Sequence, residues 1–375
     1  MLDNKALLTD LYQLTMAQAY WQTGKQQEGA SFYMHFRENP FGGGYTIAAG
    51  MEQLADYIDG FAFTQQAVDY LATLPAPDGT PLFDPAFLKT LLSLRLTVDV
   101  DAVKEGTVVF PHEPLVRVVG PVLECQIIET ALLNFVNFQT LVATKAARVC
   151  QVAKGPVAEF GLRRAQGPNG GNLASRAAIV GGCSSTSNTL AGMLYDLPVS
   201  GTHAHSWVMA FDDELTAFRA YAQSMPHNCV LLVDTYNTLG GVRNAITVAR
   251  EMEQRGQQLA GIRIDSGDLA WLSIQARALL DEAGLCSVKI VASNDLDEYT
   301  IQSLHDQGAR IDLWGVGTKL ATAFEQAALA GVYKLSATRA PGQQAWKPTI
   351  KVSEQVCKST LPGILDTRRY LNSEG

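Results

Sequence analysis

Short apolar segments alternate with helical patterns from residue 156 onward, and few folds accommodate that alternation. The candidate strands are 156–160, 177–181, 197–200, 229–234, 261–265, 288–293, 312–317 and 331–335. Helical patterns fill most of the gaps between them. Strand, helix and strand in repetition is typical of a parallel α/β barrel, in which chemistry collects at the carboxyl ends of the strands.

The N-terminal part of the chain is organised differently. Helical patterns there are followed by short strand patterns between residues 94 and 119, which end at Gly120-Pro121. We therefore predict a first domain of helices and short strands over residues 1–121 and an α/β barrel domain over residues 122–335. The β-like tail in 336–375 is expected to complete the first domain.

Charge and cysteine usage limit the classes of partner. Lys plus Arg number 29 and Asp plus Glu 37, so the net charge is −8, which disfavours nucleic acid and anionic membranes as partners. The six cysteines are scattered without a zinc-type spacing, which fits a reducing compartment. The chain has no basic and apolar leader at residue 1 and no long apolar run. A cytoplasmic protein is expected.

The segment from Glu159 to Gly192 is locally basic within this acidic chain. It contains seven glycines and three arginines, including Arg163 and Arg164, against a single acidic residue. Glycines let backbone N–H groups approach a ligand closely, and arginines after a strand favour an anion. The segment predicts a phosphate site, with a solvated surface loop as the alternative.

Polar side chains follow several of the candidate strands. Asp234, Asp265 and Ser293 stand at strand ends, where carboxylates suit ribose hydroxyls or a Mg²⁺ ion that also binds phosphate. Asp268 precedes a helical pattern, so it is expected to be an N-cap. Strand alternation places Arg263 on the same face as Asp265, where an anionic substrate group or a neighbouring carboxylate would be its partner.

Two further strand ends suggest chemistry. Gly315-Val316-Gly317-Thr318 precedes a helical pattern, which favours a monophosphate site or simply a tight turn. His203 and His205 follow the candidate strand 197–200, but no third metal ligand is near them in the sequence. No resident metal site is therefore assigned, and one reactive imidazole is the preferred interpretation.

Five motifs in this order resemble the nicotinate phosphoribosyltransferase family. They are TDLYQLTM at 9–16, FGLRRAQGP at 160–168, GTHAHS at 201–206, IDSGDL at 264–269 and GVGT at 315–318. The resemblance extends from about residue 5 to about residue 363. It implies the type II phosphoribosyltransferase fold, an irregular α/β barrel with an N-terminal α/β sandwich-like domain, in a homodimer with shared active sites.

The resemblance also implies an activity. The family joins nicotinate to 5-phosphoribosyl 1-pyrophosphate in NAD biosynthesis, with Mg²⁺ and with ATP hydrolysis coupled through a phosphohistidine. The implied roles are phosphohistidine for His205, ring stacking for Phe160 and for Tyr12 of the other subunit, anion binding for Arg163 and Arg263, ribose binding for Asp265, and 5′-phosphate binding for Gly315, Gly317 and Thr318. Asp234 and Ser293 are expected to contact substrate.

Asn188 is implied to select the acid over the amide. In nicotinamide-specific relatives the matching position carries aspartate, whereas an asparagine can donate its amide hydrogens to a carboxylate. The alternative is that Asn188 only caps a helix. The chain departs from the family pattern at His203, where an apolar residue is expected, and in its short tail.

Other functions remain open at this stage. Transfer to nicotinamide or quinolinate is the nearest alternative. A barrel enzyme acting on sugar phosphates would need a Schiff-base lysine or an acid/base pair, and Lys289 lies in a candidate strand. A non-catalytic homologue would be expected to lose His205 or the Asp265 motif, and both are present.

Overall fold

The computed structural model describes residues 4–352, 354 and 359–370. Cys357 and the last five residues of the tail lie outside these ranges. The chain divides into two compact units, Met1–Leu141 with Ala328–Gly375, and Val142–Ala327. Among the described residues, no helix combines the length and apolar composition needed to cross a membrane.

Helices are numbered in chain order. They are α1 Leu11–Gln22, α2 Met51–Asp59, α3 Gln65–Ala72, α4 Pro85–Ser93, α5 Val122–Ile127, α6 Glu129–Ala153, α7 Gly167–Val180, α8 Thr189–Tyr195, α9 His205–Met209, α10 Glu214–Ser224, α11 Thr238–Glu253, α12 Leu269–Glu282, α13 Glu298–Asp306 and α14 Thr318–Ala321. Several of these helices are preceded by a residue whose side chain caps the first turn. Asp268, for example, accepts the Trp271 N–H at 3.0 Å at the start of α12, which confirms its expected capping role.

Strands are numbered in the same way. They are β1 Gly29–His35, β2 Thr46–Ile47, β3 Asp99–Ala102, β4 Val108–Val109, β5 Val116–Pro121, β6 Val157–Glu159, β7 Ser185–Thr186, β8 Val230–Leu232, β9 Gly261–Ile264, β10 Lys289–Ser293, β11 Leu313–Val316, β12 Val332–Arg339 and β13 Lys347–Pro348.

The first unit contains an antiparallel sheet in the order β13-β12-β1-β5-β3 and a two-stranded sheet, β2-β4. The central strand β1 is buried along almost its whole length, because β12 and β5 pair with its two edges. Its register with β12 includes a bulge between Ser31 and Phe32.

The end of β1 carries a buried imidazole. His35 is 4% exposed, stacks on Tyr33 with ring centroids 5.0 Å apart, and leaves Nδ1 without a hydrogen-bond partner among the described residues. Burial, then the neighbouring His112, Arg37 and Lys334, lower the pKa of His35 from the ordinary 6.5 to about 4. His35 is therefore held neutral in the folded chain at neutral pH.

His35→Phe is expected to make stability less dependent on pH. Below about pH 6.5 the unfolded chain binds a proton at His35 that the folded chain does not, so the free energy of unfolding falls as pH drops from about 6.5 to about 4. Phenylalanine removes that loss, which is worth roughly 2 to 3 kcal/mol. Urea unfolding at pH 7 and pH 4.5 measures it. Replacement of the exposed His227 by glutamine is the control, and an equally steep pH dependence in His35→Phe would contradict the assignment.

The second unit is built on a six-stranded parallel sheet in the order β7-β6-β11-β10-β9-β8. Val199 adds an isolated parallel bridge to Thr186, next to β7. The strands are short and almost wholly buried, as expected of a parallel sheet. Their carboxyl ends are followed by Phe160, Ser187, Val233, Asp265, Asn294 and Gly317, which brings the residues of distant motifs to one edge.

Four predicted elements differ from the structure, and one of them, the strand expected at 197–200, is reduced to the isolated bridge at Val199. Residues 177–181 fall largely in α7, where Ala174, Ala177 and Ala178 form a buried helical face, so this apolar run is helix rather than strand. The predicted strand at 331–335 belongs to β12, which pairs antiparallel with β1 in the first unit and is not part of the parallel sheet. The helix expected after Lys319 ends at Ala321, because Ala323 and Glu325 have positive φ angles.

Candidate active site

A cavity of about 330 Å³ lies at the carboxyl ends of the parallel strands, within the second unit. Eight residues singled out by the sequence line it, namely Phe160, Arg163, Arg263, Asp265, Ser293, Gly315, Gly317 and Thr318. Six further residues line the same cavity, namely Arg164, Ser187, Gly201, Thr202, Asn294 and Asp295. Cationic, hydroxyl and backbone groups therefore converge on one polar cavity suited to an anionic ligand.

Arg263 is the centre of a hydrogen-bonded group on β9 and β10. Its Nε donates to Ser293 Oγ at 2.7 Å, Nη1 to Thr202 Oγ1 at 2.9 Å and Nη2 to Asp265 Oδ1 at 2.9 Å. Its side chain is only 12% exposed. Ser293 Oγ also donates to Asp265 Oδ1. The guanidinium and the carboxylate are thus fixed in orientation before any ligand binds.

Asp234 stabilises the position of Asp265 through hydrogen bonds. It is 9% exposed, and its Oδ2 accepts the Asp265 N–H at 2.9 Å and the Ser266 hydroxyl at 2.6 Å. Asp234 is not one of the residues that line the cavity. The structure therefore gives it a bracing position behind Asp265, where the sequence suggested direct contact with substrate.

The two histidines of the 201–206 motif have different surroundings. His205 is 39% exposed, its Nδ1 lies 3.1 Å from Thr235 Oγ1, and its Nε2 lies 3.8 Å from Asp265 Oδ2. His203 is buried: its Nε2 accepts the Leu232 N–H at 3.2 Å, and its Nδ1 lies 3.2 Å from the Ala204 carbonyl oxygen. Burial lowers the pKa of His203, which fits a neutral imidazole with both nitrogens engaged.

Phe160 forms an aromatic wall of the cavity directly after β6. Its ring centroid lies 5.8 Å from the Arg263 guanidinium carbon. A β-carbon at Gly315 would lie 2.7 Å from the Phe160 ring, so only glycine allows the ring this position. The GVGT motif thus accommodates an aromatic side chain as well as exposing backbone to the cavity.

A buried carboxylate, that of Glu159, stabilises the backbone turn that contains Phe160. Glu159 is 0% exposed and accepts the Gly161 N–H, the Ser175 hydroxyl at 2.9 Å and the Thr186 hydroxyl at 2.6 Å. Sequence reasoning assigned no role to Glu159. The signal was a lone acidic residue in a basic segment that is otherwise rich in glycine.

The backbone at the end of β10 is in a sparsely populated conformation. Asn294 and Asp295 have φ angles of 100° and 29°, and both line the cavity. Such conformations persist where the surrounding structure imposes them, and they concentrate at functional sites. They therefore mark this strand end independently of its composition.

Asn188 is not among the residues that line the cavity, and the direct contact with substrate that the resemblance implied stays a prediction. It is 1% exposed and caps α8, with Oδ1 accepting the Ala191 N–H at 3.2 Å. Its Nδ2 donates to Asn172 Oδ1 at 3.0 Å and to Ser175 Oγ at 3.2 Å. All of its polar atoms are thus used inside the protein, as the capping alternative expected.

Asn188→Asp is therefore expected to lower stability. Aspartate loses both donors and sets a carboxylate against Asn172 Oδ1, close to Ser175, which already donates to Glu159. A cost of about 2 to 4 kcal/mol follows from a buried, poorly paired charge. Thermal unfolding measures this cost, with Asn188→Ser as the control that keeps a capping oxygen. A stable variant with a changed preference between nicotinate and nicotinamide would contradict this placement.

Tyr12 and Lys289 complete the account of the candidate residues. Tyr12 belongs to the first unit, is 49% exposed and lies in the first turn of α1. Lys289 starts β10, opposite the carboxyl end that borders the cavity, and its exposed ammonium lies 3.3 Å from Asp312 Oδ1. This position is wrong for a Schiff-base lysine of the cavity, so the sugar-phosphate alternative loses its candidate nucleophile.

Comparison with known proteins identifies relatives over both units. Residues 7–137 match the nicotinate phosphoribosyltransferase (NAPRTase) N-terminal domain, and residues 156–360 match the nicotinate phosphoribosyltransferase (NAPRTase) family. Nicotinate phosphoribosyltransferase of Bacillus subtilis (strain 168) is 48% identical over 372 residues, covering 99% of this chain and 74% of the relative. That of Homo sapiens is 36% identical over 429 residues, covering 99% and 78%.

Solved structures agree. The crystal structure of human nicotinic acid phosphoribosyltransferase has a TM-score of 0.78 at 35% identity, covering 88% of this chain and 74% of that one. Nicotinate-nucleotide pyrophosphorylase from Pyrococcus furiosus shares the fold, with a TM-score of 0.69 at 22% identity, covering 91% and 77%. These similarities confirm the predicted α/β fold of type II phosphoribosyltransferases. The chain belongs to the nicotinate phosphoribosyltransferase family.

Proposed function

We propose that this protein transfers the phosphoribosyl group of 5-phosphoribosyl 1-pyrophosphate to nicotinate, forming nicotinate mononucleotide and pyrophosphate in NAD biosynthesis. One observation carries the proposal beyond the family relationship. Arg263 and Asp265 are fixed side by side in a polar cavity with an aromatic wall, Phe160, at the carboxyl edge of a parallel sheet. A site that binds both an aromatic acid and a phosphorylated sugar requires a cation, a carboxylate and an aromatic side chain close to one another.

The reaction explains why the cavity holds oriented charges without a covalent nucleophile. Loss of pyrophosphate leaves an oxocarbenium-like ribose carbon, which the pyridine nitrogen of nicotinate attacks. The protein lowers the barrier by holding the two reactants in line and by stabilising the separated charges. Arg163 and Arg263 bind anionic groups, and Asp265 accepts hydrogen bonds from the ribose hydroxyls. Asp234 and Ser293 keep that carboxylate in place.

The aromatic and glycine-rich residues hold the two ends of the substrates. Phe160 stacks on the pyridine ring, and the Arg263 guanidinium beside it counters the nicotinate carboxylate. Gly315, Gly317 and Thr318 bind the 5′-phosphate through backbone N–H groups and the threonine hydroxyl. Exposure of this edge to the cavity supports the assignment, since all three residues line it.

ATP is the proposed co-substrate, with His205 as the residue that is phosphorylated. The partly exposed His205 imidazole lies beside Asp265, whereas both ring nitrogens of His203 are engaged in the interior. If the Nδ1–H of His205 donates to Thr235, its Nε2 keeps a lone pair for a phosphoryl group. These contacts favour His205 over His203 as the phosphorylated residue. His203 is the position at which the chain departs from the family pattern.

Mg²⁺ is the proposed metal, held mainly by the substrate's pyrophosphate. Among residues 4–352, 354 and 359–370, no three His, Cys, Asp or Glu side chains are grouped to bind a metal ion. Asp265 and Asp295 line the cavity, and one or two carboxylates with phosphate oxygens and water are the usual Mg²⁺ ligands. The donor set therefore fits, and the ion would neutralise charge on the departing pyrophosphate.

The working protein is proposed to be a cytoplasmic homodimer. Each subunit is proposed to have two domains. One is formed by residues 1–121 with 336–375, and the other by residues 122–335. Tyr12 of one subunit would cover the pyridine ring bound by the other, and its ring is exposed and available for such a contact.

Mixed dimers test this arrangement. Tyr12→Ala and Asp265→Ala proteins are each expected to be nearly inactive, and a mixture after subunit exchange should recover up to about a quarter of the wild-type activity per site, because random pairing gives one intact site in half of the dimers. Subunit exchange is verified with differently tagged chains. No recovery after verified exchange would place the complete site within a single chain.

Pyrophosphate release tests the activity itself. The protein is incubated with phosphoribosyl pyrophosphate, Mg²⁺ and nicotinate, nicotinamide or quinolinate, with and without ATP. We expect release with nicotinate above both other acceptors, and faster release with ATP. Preferential release with nicotinamide or quinolinate would replace the substrate assignment, and no release with any acceptor would overturn the proposed function.

A further inference from the structure

A pair of thiols in the second unit is in direct contact, and neither residue lines the cavity. Cys150 lies near the end of α6 and Cys183 follows α7, and their Sγ atoms are 3.9 Å apart. Cys183 is buried, whereas Cys150 is partly exposed. The proposed function uses neither residue. Two thiols at this separation are one small side-chain movement from a disulfide, whose sulfurs lie about 2 Å apart.

The chain turns between α7 and β7 in a way that brings the thiols together. A β-carbon at Gly181 would lie 2.6 Å from that of Ala146, so the turn packs flat against α6. Gly182 has a φ of 109°, which favours glycine, and its position places Cys150 Sγ within 3.7 Å of where a β-carbon would be. The close approach of Cys183 to α6 thus follows from two consecutive glycines.

We propose that Cys150 and Cys183 form a reversible oxidation site for hydroperoxides, with Cys150 as the attacking residue and Cys183 as the resolving residue. The Cys150 sulfur attacks one peroxide oxygen, the O–O bond breaks, and water or an alcohol leaves with a proton. Cys150 is then a sulfenic acid. The Cys183 sulfur attacks the Cys150 sulfur, its proton leaves with the departing hydroxide as water, and a disulfide remains.

The surroundings divide the two roles in this order. The contact with Cys183 lowers the pKa of Cys150, whereas that same contact and then burial raise the pKa of Cys183. Cys125 and Cys229, in contrast, are buried with pKa values raised to about 12. Among the described cysteines that leaves Cys286 as the other accessible thiol, and it is exposed.

Oxidation at this pair is connected to the cavity through β6 and β7. The residue after Cys183, Ser184, donates its N–H to the Val157 carbonyl oxygen at 2.8 Å, and Thr186 donates to Glu159. Glu159 in turn holds the turn on both sides of Phe160. Drawing Cys183 toward α6 is therefore expected to displace the aromatic wall of the proposed nicotinate site.

The experiment treats the reduced full-length protein with a small excess of hydrogen peroxide, blocks free thiols and maps peptides by mass. We expect a Cys150–Cys183 linked peptide in the wild type. Cys183→Ser should instead keep a dimedone-reactive sulfenic acid on Cys150, Cys150→Ser should give neither product, and Cys286→Ser is the matched control that behaves as the wild type. Oxidation of Cys286 ahead of Cys150, or no linked peptide, would overturn the proposal.

The same samples are assayed for pyrophosphate release, an arm that rests on the proposed function. We expect the oxidised wild type to lose activity roughly tenfold or more, given the sensitivity of rates to small displacements, and dithiothreitol to restore it. Cys150→Ser should resist. A linked peptide with unchanged activity would overturn the connection to the cavity. An inactive reduced protein would count against the proposed function alone, because the peptide map does not depend on turnover.

Discussion

Arg263→Ala is expected to lower kcat/KM by roughly two to four orders of magnitude. The guanidinium is 12% exposed and donates to Ser293, Thr202 and Asp265. Its removal takes a cation from the proposed nicotinate site and leaves the Asp265 carboxylate without its partner. The loss of one member of a hydrogen-bonded charge pair in a binding site costs about 2 to 5 kcal/mol of binding free energy. Steady-state kinetics with nicotinate and phosphoribosyl pyrophosphate varied separately measure the loss.

Two variants show whether the effect belongs to the geometry of the side chain. Arg263→Lys keeps the charge but cannot reach three partners from a planar fork, so it is expected to recover little of the activity. Arg219→Ala is the matched control, because Arg219 also pairs with a carboxylate, Glu251, at 2.7 Å, but is 49% exposed and does not line the cavity. Near wild-type kinetics in Arg263→Ala would remove Arg263 from the proposed machinery.

The sequence predicted the cavity edge well because strand ends are local features. Arg263, Asp265 and Ser293 stand at or next to the ends of short apolar runs, and parallel strands bring such ends together whatever the intervening helices are. Strand alternation also places Arg263 and Asp265 on one face, and the hydrogen bond between them agrees. No knowledge of packing was needed for these residues.

The failures concern features that depend on distant contacts. The run 177–181 is as apolar as a buried strand, so its composition does not show that it belongs mostly to the helix α7. Residues 331–335 do form a strand, but its partner is β1, some 300 residues earlier, so periodicity alone assigned it to the wrong sheet. Asn188 is a further example of a residue whose contacts depend on distant parts of the chain. Its capping of α8 was open from the sequence, whereas its bonds to Asn172 and Ser175 depend on how α7 packs.

The buried network at Glu159 could not be predicted for a related reason. A carboxylate with no exposed surface is rare, and composition gives no sign that Gly161, Ser175 and Thr186 all donate to it. Three donors from three elements replace the water that the charge loses on burial. In this locally basic segment the single acidic residue stabilises the turn at Phe160, while Arg163 and Arg164 line the cavity.

His205→Ala is expected to abolish stimulation by ATP while leaving slow transfer without ATP. A phosphohistidine can store the free energy of ATP only if the imidazole is present, whereas the groups that bind nicotinate and the ribose remain in place. The loss should therefore appear in the ratio of rates with and without ATP, by about tenfold or more, and less in the rate without ATP. Pyrophosphate release and ADP formation are followed in the same samples.

His203→Ala provides the matched comparison, since both imidazoles are in one motif but only His205 is exposed. His203 accepts the Leu232 N–H, and its loss leaves that buried donor unpaired, at a cost of about 1 to 3 kcal/mol in stability. We expect His203→Ala to unfold at a lower temperature and to keep its stimulation by ATP. The opposite pattern, with stimulation lost in His203→Ala and kept in His205→Ala, would move the phosphorylated residue to His203.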